Sequence, residues 1–205
     1  MNCVLPAIAV VSCLVVFSAP PAHADSVLEI APMQATSVGF EKPDDVSASK
    51  ILLGLCNRSW MPGDSATFDV PLIEFDLTEV APGSKVSKAI LRLVPYGIGS
   101  TESRPVIRLH PIQTEWSEQN ATWNTKPAWD ENFLEIEIPQ QPNEWNPWEI
   151  DITPLVRKWL SGSMANHGLA IVAESTRGDL HNFAFFGRSN TDGRAPKLLI
   201  TLDKD

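Results

Sequence analysis

The stretch Trp116–Asn124, with the sequence WSEQNATWN, places two tryptophans around a short turn rich in acidic and amide side chains. A strand-like run, Val106–Ile112, leads into it. A buried indole needs a partner for its N–H, and Glu118, Asn120 and Asn124 are nearby acceptors. The stretch therefore predicts an ordered corner that fixes a long connection between two strands.

Short strands are predicted on both sides of this corner, because apolar and polar residues alternate with a period of two. The 17 prolines and several glycine turns separate these runs. One helix is predicted after Thr153, which would cap it, with Pro154 in its first turn and Gly162 at its end. The pattern indicates an all-β fold, an antiparallel β-sandwich of the jelly-roll type with one short α-helix. The alternating runs are Ile73–Leu77, Ala89–Leu93, Leu134–Ile138 and Trp148–Ile152.

The beginning of the chain is typical of a secretory signal peptide, because an apolar run reaches Phe17 and Ala22-His23-Ala24 offers a cleavage site. A membrane anchor is the alternative, but the run is short and Pro20-Pro21 interrupts it. Cleavage near Ala24 would leave 181 of the 205 residues, enough for one domain. We expect a signal peptide over residues 1–24, a flexible lead-in over 25–33 and the sandwich over 34–205. The protein would be secreted, extracellular or periplasmic.

Composition narrows the class of partner. The net charge of −9 disfavours binding to nucleic acid or to an anionic membrane surface, but it leaves open an anionic polysaccharide bridged by Ca²⁺. No stretch after the signal predicts a membrane span. Cys3 and Cys13 belong to the signal, so Cys56 remains alone and no intramolecular disulfide is expected.

The corner matches the pattern W-[ST]-E-x-x-[AT]-T-W-N throughout, and this pattern resembles the central motif of the DNRLRE (disaggregatase-related) domain, a carbohydrate-binding module family. Glu74 stands where that family usually has arginine. The resemblance implies a bacterial, jelly-roll sugar-binding module whose partner is a polysaccharide. It extends over roughly Gln34 to Leu202 through four further segments: Leu72–Leu93, Trp148–Trp159, Asn166–Leu169 and Phe185–Leu198.

Three tryptophans in polar, proline-rich connections are the candidate sugar contacts. Trp60, Trp129 and Trp145 could each stack an indole on a pyranose ring, and Asn143 and Asn146 could bind its hydroxyls. Each tryptophan could equally close one end of the sandwich as a lid.

Calcium is the one cofactor that the family resemblance implies, because sugar-binding jelly rolls often hold a structural Ca²⁺. Glu41, Asp44 and Asp45 form an acidic loop near the start of the domain, and calcium prefers such oxygen ligands. A solvated acidic turn is the alternative.

Three functions remain open from the sequence. The first is a secreted, non-catalytic carbohydrate-binding module that recognises an extracellular or cell-surface polysaccharide. The second is a structural or adhesive β-sandwich without sugar specificity. The third is a polysaccharide hydrolase or lyase, for which Glu115 and Glu118 are the nearest carboxylate pair. No catalytic motif is present, so we expect no enzymatic activity.

Overall fold

The computed structural model describes residues 26–47, 51–58, 67–96, 106–137, 146–173 and 180–203. These residues form two antiparallel sheets and one short helix, as the sequence predicts for an all-β sandwich. The strands are Ser26–Ile30 (β1), Pro32–Gly39 (β2), Leu52–Arg58 (β3), Thr67–Phe75 (β4), Val86–Leu93 (β5), Pro95–Tyr96 (β6), Val106–Pro111 (β7), Leu134–Glu137 (β8), Trp148–Asp151 (β9), Leu169–Ala173 (β10), Leu180–Phe186 (β11) and Lys197–Leu202 (β12), and the helix is Thr153–Leu160 (α1).

The smaller sheet has the order β1-β12-β5-β9, and the larger has the order β6-β11-β3-β4-β10-β7-β8, with β2 paired to β4. The alternation predicted for Ala89–Leu93 in β5 is confirmed, since Leu91 and Leu93 are buried; in β12, Leu198 and Ile200 are buried too. These side chains pack into the main core, where Trp148 meets Phe185 edge to face at 5.3 Å.

Residues 26–33 are not a flexible lead-in, so that prediction is wrong. β1 pairs with β12 in register from Ser26–Leu202 to Ile30–Leu198, and β2 already begins at Pro32. β1 is an edge strand that buries only Ile30, so it carries little of the apolar alternation by which strands are recognised. The domain therefore begins before Gln34.

Strand β4 is buried on both faces from Val70 to Phe75. Ile73 and Phe75 enter the main core, whereas Val70 and Leu72 enter a second, smaller cluster. The remaining buried members of this second cluster are Val38, Ile112, Ala121 and Ala170. The long connection between β7 and β8 covers this second cluster.

The predicted corner is ordered, but its tryptophans are only half-buried. Trp116, Trp123 and Trp129 pack on the second cluster from its edge. Trp123 also contacts Phe40 edge to face at 5.6 Å, and the Lys126 ammonium lies 4.1 Å from its ring centroid. The loss of stability expected for Trp123→Ala is therefore smaller than the roughly 3–5 kcal/mol of a fully buried ring.

A chain of hydrogen bonds ties the corner to distant segments. The indole of Trp116 donates to the carbonyl of His167 at 2.9 Å, not to an acceptor in its own turn. The Gln34 amide nitrogen donates to the Trp116 carbonyl at 3.1 Å and to the Glu74 carboxylate at 2.6 Å. This pairing gives the buried Glu74 a partner.

Helix α1 begins one residue earlier than predicted. Ile152 is its N-cap, and Thr153 lies inside the first turn. The Thr153 hydroxyl donates a hydrogen bond to the carboxylate of Asp151 at 2.6 Å and accepts one from the backbone amide of Ala89 at 2.8 Å. Gly162, with φ of 71°, follows the end of the helix as expected.

Candidate functional site

A cleft of about 510 Å³ lies where β2, β3, β4 and β11 approach the loop that follows β2. Ser37 and Gly39 contribute from β2, Gly54 from β3, Asp69 from β4 and Ala184 from β11. Its volume falls within the roughly 300–1,000 Å³ of small-molecule sites. We call it the Asp69 cleft.

Asp69 lines the cleft beside Gly39 and Gly54, whose missing side chains leave room for its carboxylate. In the strand register Asp69 stands opposite Gly39 on one side and Cys56 on the other. A Cβ at Gly39 would lie 2.5 Å from Oδ1 of Asp69, closer than any real contact, whereas a Cβ at Gly54 would lie 3.5 Å from Oδ2. Only glycine at position 39 is compatible with this position of the carboxylate.

Acidic side chains predominate in the Asp69 cleft. Burial raises the pKa of Asp69 above its ordinary value, and the neighbouring charge of Glu41 raises it further. Glu41 and Asp45 also line the cleft, and Lys42 adds one positive charge. Carboxylates with perturbed pKa values in a cleft are typical of functional sites.

Ser37 supplies a polar group that the protein leaves unsatisfied. It is 9% exposed, and its hydroxyl has no hydrogen-bond partner. Three other buried side-chain atoms in the described part of the chain share this condition, at Thr36, Arg92 and Trp159, and none of these residues lines the cleft. An unpaired buried hydroxyl costs about 1–3 kcal/mol, which a ligand could recover.

A second depression, of about 370 Å³, lies between helix α1 and the approach to β8. Its exposed aromatic side chain is Phe133, and the guanidinium of Arg108 lies 4.2 Å from the centroid of that ring. A smaller depression of about 210 Å³ adjoins it through Pro111, Asp130 and Met164. We call these two depressions the Phe133 groove.

The predicted sugar contacts are not brought together at the Asp69 cleft. Trp60, Asn143 and Trp145 lie outside the described residues. Trp129 is half-buried against the second cluster and forms an isolated antiparallel β-bridge with Ile112. Asn146 is exposed just before β9. Neither Trp129 nor Asn146 lines the cleft, and all five assignments stay predictions.

The predicted calcium ligands are divided. Glu41 and Asp45 line the Asp69 cleft, whereas Asp44 accepts a hydrogen bond from the amide of Asn124 at 2.8 Å. Within the described ranges no group of three or more His, Cys, Asp or Glu side chains could hold a metal ion. Calcium takes six to eight oxygen ligands, so these residues fit it poorly, and the metal stays a prediction.

The carboxylates considered for hydrolysis do not form a matched pair. Glu118 is 3% exposed and binds the guanidinium of Arg188 and the amide of Ala35. Glu115 is exposed. A glycosidase needs two carboxylates that flank its substrate, and Glu118 is instead engaged in holding the fold.

Asp69 was missed from the sequence, although two signals for it exist. Aspartate is depleted in strands, yet Asp69 lies between Phe68 and Val70 inside β4. Glycine inside a strand often marks the close approach of another group, and Gly39 and Gly54 both lie in strands. Recognising that these three positions meet requires the strand register.

Helix α1 is too short to span a bilayer, and the part of the chain that the structure describes contains no other helix.

Two comparisons with known proteins bear on the family of this chain. A Gellan lyase from Bacillus sp is 25% identical over 173 residues, which cover 82% of this chain and 7% of the lyase. The chain thus spans only a small part of the length of that relative. Residues 58–202 match carbohydrate-binding module family 96. This match extends over more than half of the 205 residues, and the chain therefore belongs to carbohydrate-binding module family 96.

Proposed function

We propose that this protein is a secreted, non-catalytic module of the DNRLRE type that binds an extracellular polysaccharide. The observation that carries the proposal is the match of residues 58–202 to a carbohydrate-binding module family. The acidic, partly apolar Asp69 cleft supports it, because sugar recognition needs polar groups that converge in a concavity.

The relationship to a lyase is consistent with binding without cleavage. The similarity covers 7% of the lyase, so the shared segment is a small fraction of that enzyme. Glu118, one of the two carboxylates that hydrolysis could use here, is instead paired with Arg188. We infer that the matched segment of this chain binds sugar and has no catalytic role.

Secretion is part of the proposal and rests on the amino-terminal sequence, with its apolar run and the Ala22-His23-Ala24 site. In the described residues Cys56 forms no disulfide.

Affinity electrophoresis of the purified protein tests the function. Native gels would contain neutral polysaccharides (galactomannan, xyloglucan, mixed-linkage β-glucan) or anionic ones (gellan, alginate, polygalacturonate), with polysaccharide-free gels as the control. We expect retarded migration in at least one gel. We also expect no new reducing ends and no rise in absorbance at the wavelength of unsaturated uronates.

Two results would contradict the proposal. Unretarded migration in every gel would favour a structural or adhesive role for the same sandwich. Turnover of any of these polysaccharides, if it is lost in Glu115→Gln, would make the protein an enzyme.

A further inference from the structure

We propose that the Asp69 cleft is the saccharide-binding site and that it takes a neutral, hydroxyl-rich sugar residue. This inference rests on the proposed function and adds to it a location and a class of ligand.

The shape of the cleft is the first argument. Small residues surround Asp69, with Gly39 opposite it on β2 and Gly54 and Ala184 opposite each other on β3 and β11. Glycine weakens a strand because it adds entropy to the unfolded chain and has no side chain to pack. Two such positions leave room for the Asp69 carboxylate between β2 and β3, so that this carboxylate lines the cleft.

The hydrogen-bonding groups are the second argument. Ser37 is buried and unpaired at the wall, and its hydroxyl can both donate and accept. Asp69 can accept hydrogen bonds from two sugar hydroxyls at once, and Lys42 can donate to a third oxygen. Unsatisfied buried polar groups in native proteins call for an explanation, and a bound hydroxyl provides one for Ser37.

The charge of the cleft selects the class of sugar. Glu41, Asp45 and Asp69 outnumber Lys42, and the whole chain has a net charge of −9. A uronate carboxylate brought into this cleft would face like charges in a partly desolvated place. Neutral sugars have hydroxyl donors that carboxylates bind strongly, so the cleft favours them.

The Phe133 groove is the competing location, but one oxygen of each of its two carboxylates already accepts hydrogen bonds from the protein. Asp130 accepts two hydrogen bonds from Asn132, at 3.0 and 2.9 Å. Asp151 accepts the amide and the hydroxyl of Thr153, at 2.9 and 2.6 Å. Arg108 lies over one face of the Phe133 ring. In the groove, the ring face and these two carboxylate oxygens are therefore already engaged by the protein.

Three variants test the proposal: Ser37→Ala, Asp69→Asn and, for the competing groove, Phe133→Ala. Affinity would be measured with whichever neutral polysaccharide retards the wild type most. Ser37→Ala removes one hydrogen bond to the sugar from a buried hydroxyl, and Asp69→Asn removes one from a charged group. We therefore expect each of these two variants to lower the affinity for the polysaccharide by about tenfold or more. Phe133→Ala is expected to leave affinity unchanged.

Thermal melting at pH 7 separates a binding role from a structural one. Because the native pKa of Asp69 is raised, the native state binds its proton more tightly than the unfolded chain, and stability is lost as pH rises above about 4. Asp69→Asn abolishes that loss, so its melting temperature should rise. Ser37→Ala removes an unsatisfied hydroxyl and should not lower it. Residues that merely hold the fold would instead lower the melting temperature when changed.

Failure of this inference differs from failure of the proposed function. Wild-type affinity for Ser37→Ala and Asp69→Asn, with binding lost in Phe133→Ala, would place the site in the groove and overturn the inference alone. Retention by anionic polysaccharides only would overturn the assignment to a neutral sugar. Absence of binding by the wild type to every polysaccharide would overturn both.

Discussion

Gly168→Ala is expected to destabilise the protein by about 4 kcal/mol or more, which places it among the most damaging single substitutions. Gly168 has φ of 84°, a conformation that side chains with a Cβ rarely adopt. A Cβ built there would lie 2.1 Å from the carbonyl oxygen of Ile73 and 2.8 Å from Cα of Glu74. Both are backbone atoms of the central strand β4, so neither can move aside without disturbing the sheet.

The turn that contains Gly168 also connects the corner at Trp116 to strand β4. The carbonyl of His167, which precedes Gly168, accepts a hydrogen bond from the indole N–H of Trp116. The Asn166 side chain donates a hydrogen bond to the carbonyl of Phe75 at 2.8 Å and accepts one from the backbone amide of Gly168. A shift of this turn would therefore loosen the corner that covers the second cluster.

Gly193→Ala is the matched control. Gly193 has nearly the same φ, 86°, but a Cβ there would meet nothing within 4 Å. Its cost should be only that of the left-handed backbone, about 1–2 kcal/mol. Urea unfolding followed by circular dichroism would compare the two variants. Equal losses would show that the contact with β4 has no energetic weight.

Arg188→Ala is expected to cost about 3 kcal/mol, because it leaves the buried carboxylate of Glu118 without the positive charge of Arg188. Glu118 is 3% exposed. The guanidinium donates from Nε to Oε2 at 2.7 Å and from Nη2 to Oε1, and the amide of Ala35 donates to Oε2 at 3.1 Å. The value lies at the lower end of the range for buried pairs because the Arg188 side chain is 30% exposed, so water can approach the vacated position.

An exposed pair provides the comparison. Arg108 and Glu135 approach to 3.4 Å with side chains 31% and 42% exposed. Surface ion pairs contribute about 0–1 kcal/mol, so Glu135→Ala should change the free energy of unfolding little. A loss for Arg188→Ala no larger than that for Glu135→Ala would mean that the pair does not hold the corner in place.

Much of the sandwich could be predicted from the sequence because its strands bury one face and expose the other. Ala89–Leu93 and Trp148–Ile152 show this alternation and form the predicted strands. Strand β1 could not be recognised in this way, because four of its five residues remain at least partly exposed at the edge of its sheet.

The surroundings of the tryptophans could not be predicted either, since they depend on distant parts of the chain. The acceptor for the Trp116 indole lies 51 residues away at His167, whereas the sequence suggested acceptors within the same turn. Similarly, Asp69 becomes a candidate only when strand pairing brings Gly39, 30 positions earlier, beside it. Local patterns predict elements, but the register between strands determines which side chains share a cleft.

The most direct test of a sugar-binding Asp69 cleft is a titration of ¹⁵N-labelled protein with an oligosaccharide from the neutral polysaccharide that it retains, followed by backbone amide shifts. The largest shifts are expected at Gly39, Gly54 and Asp69, with Phe133 and Leu134 unchanged. Saturable shifts centred on Phe133 and Leu134, with the amides of Gly39, Gly54 and Asp69 unmoved, would contradict this assignment.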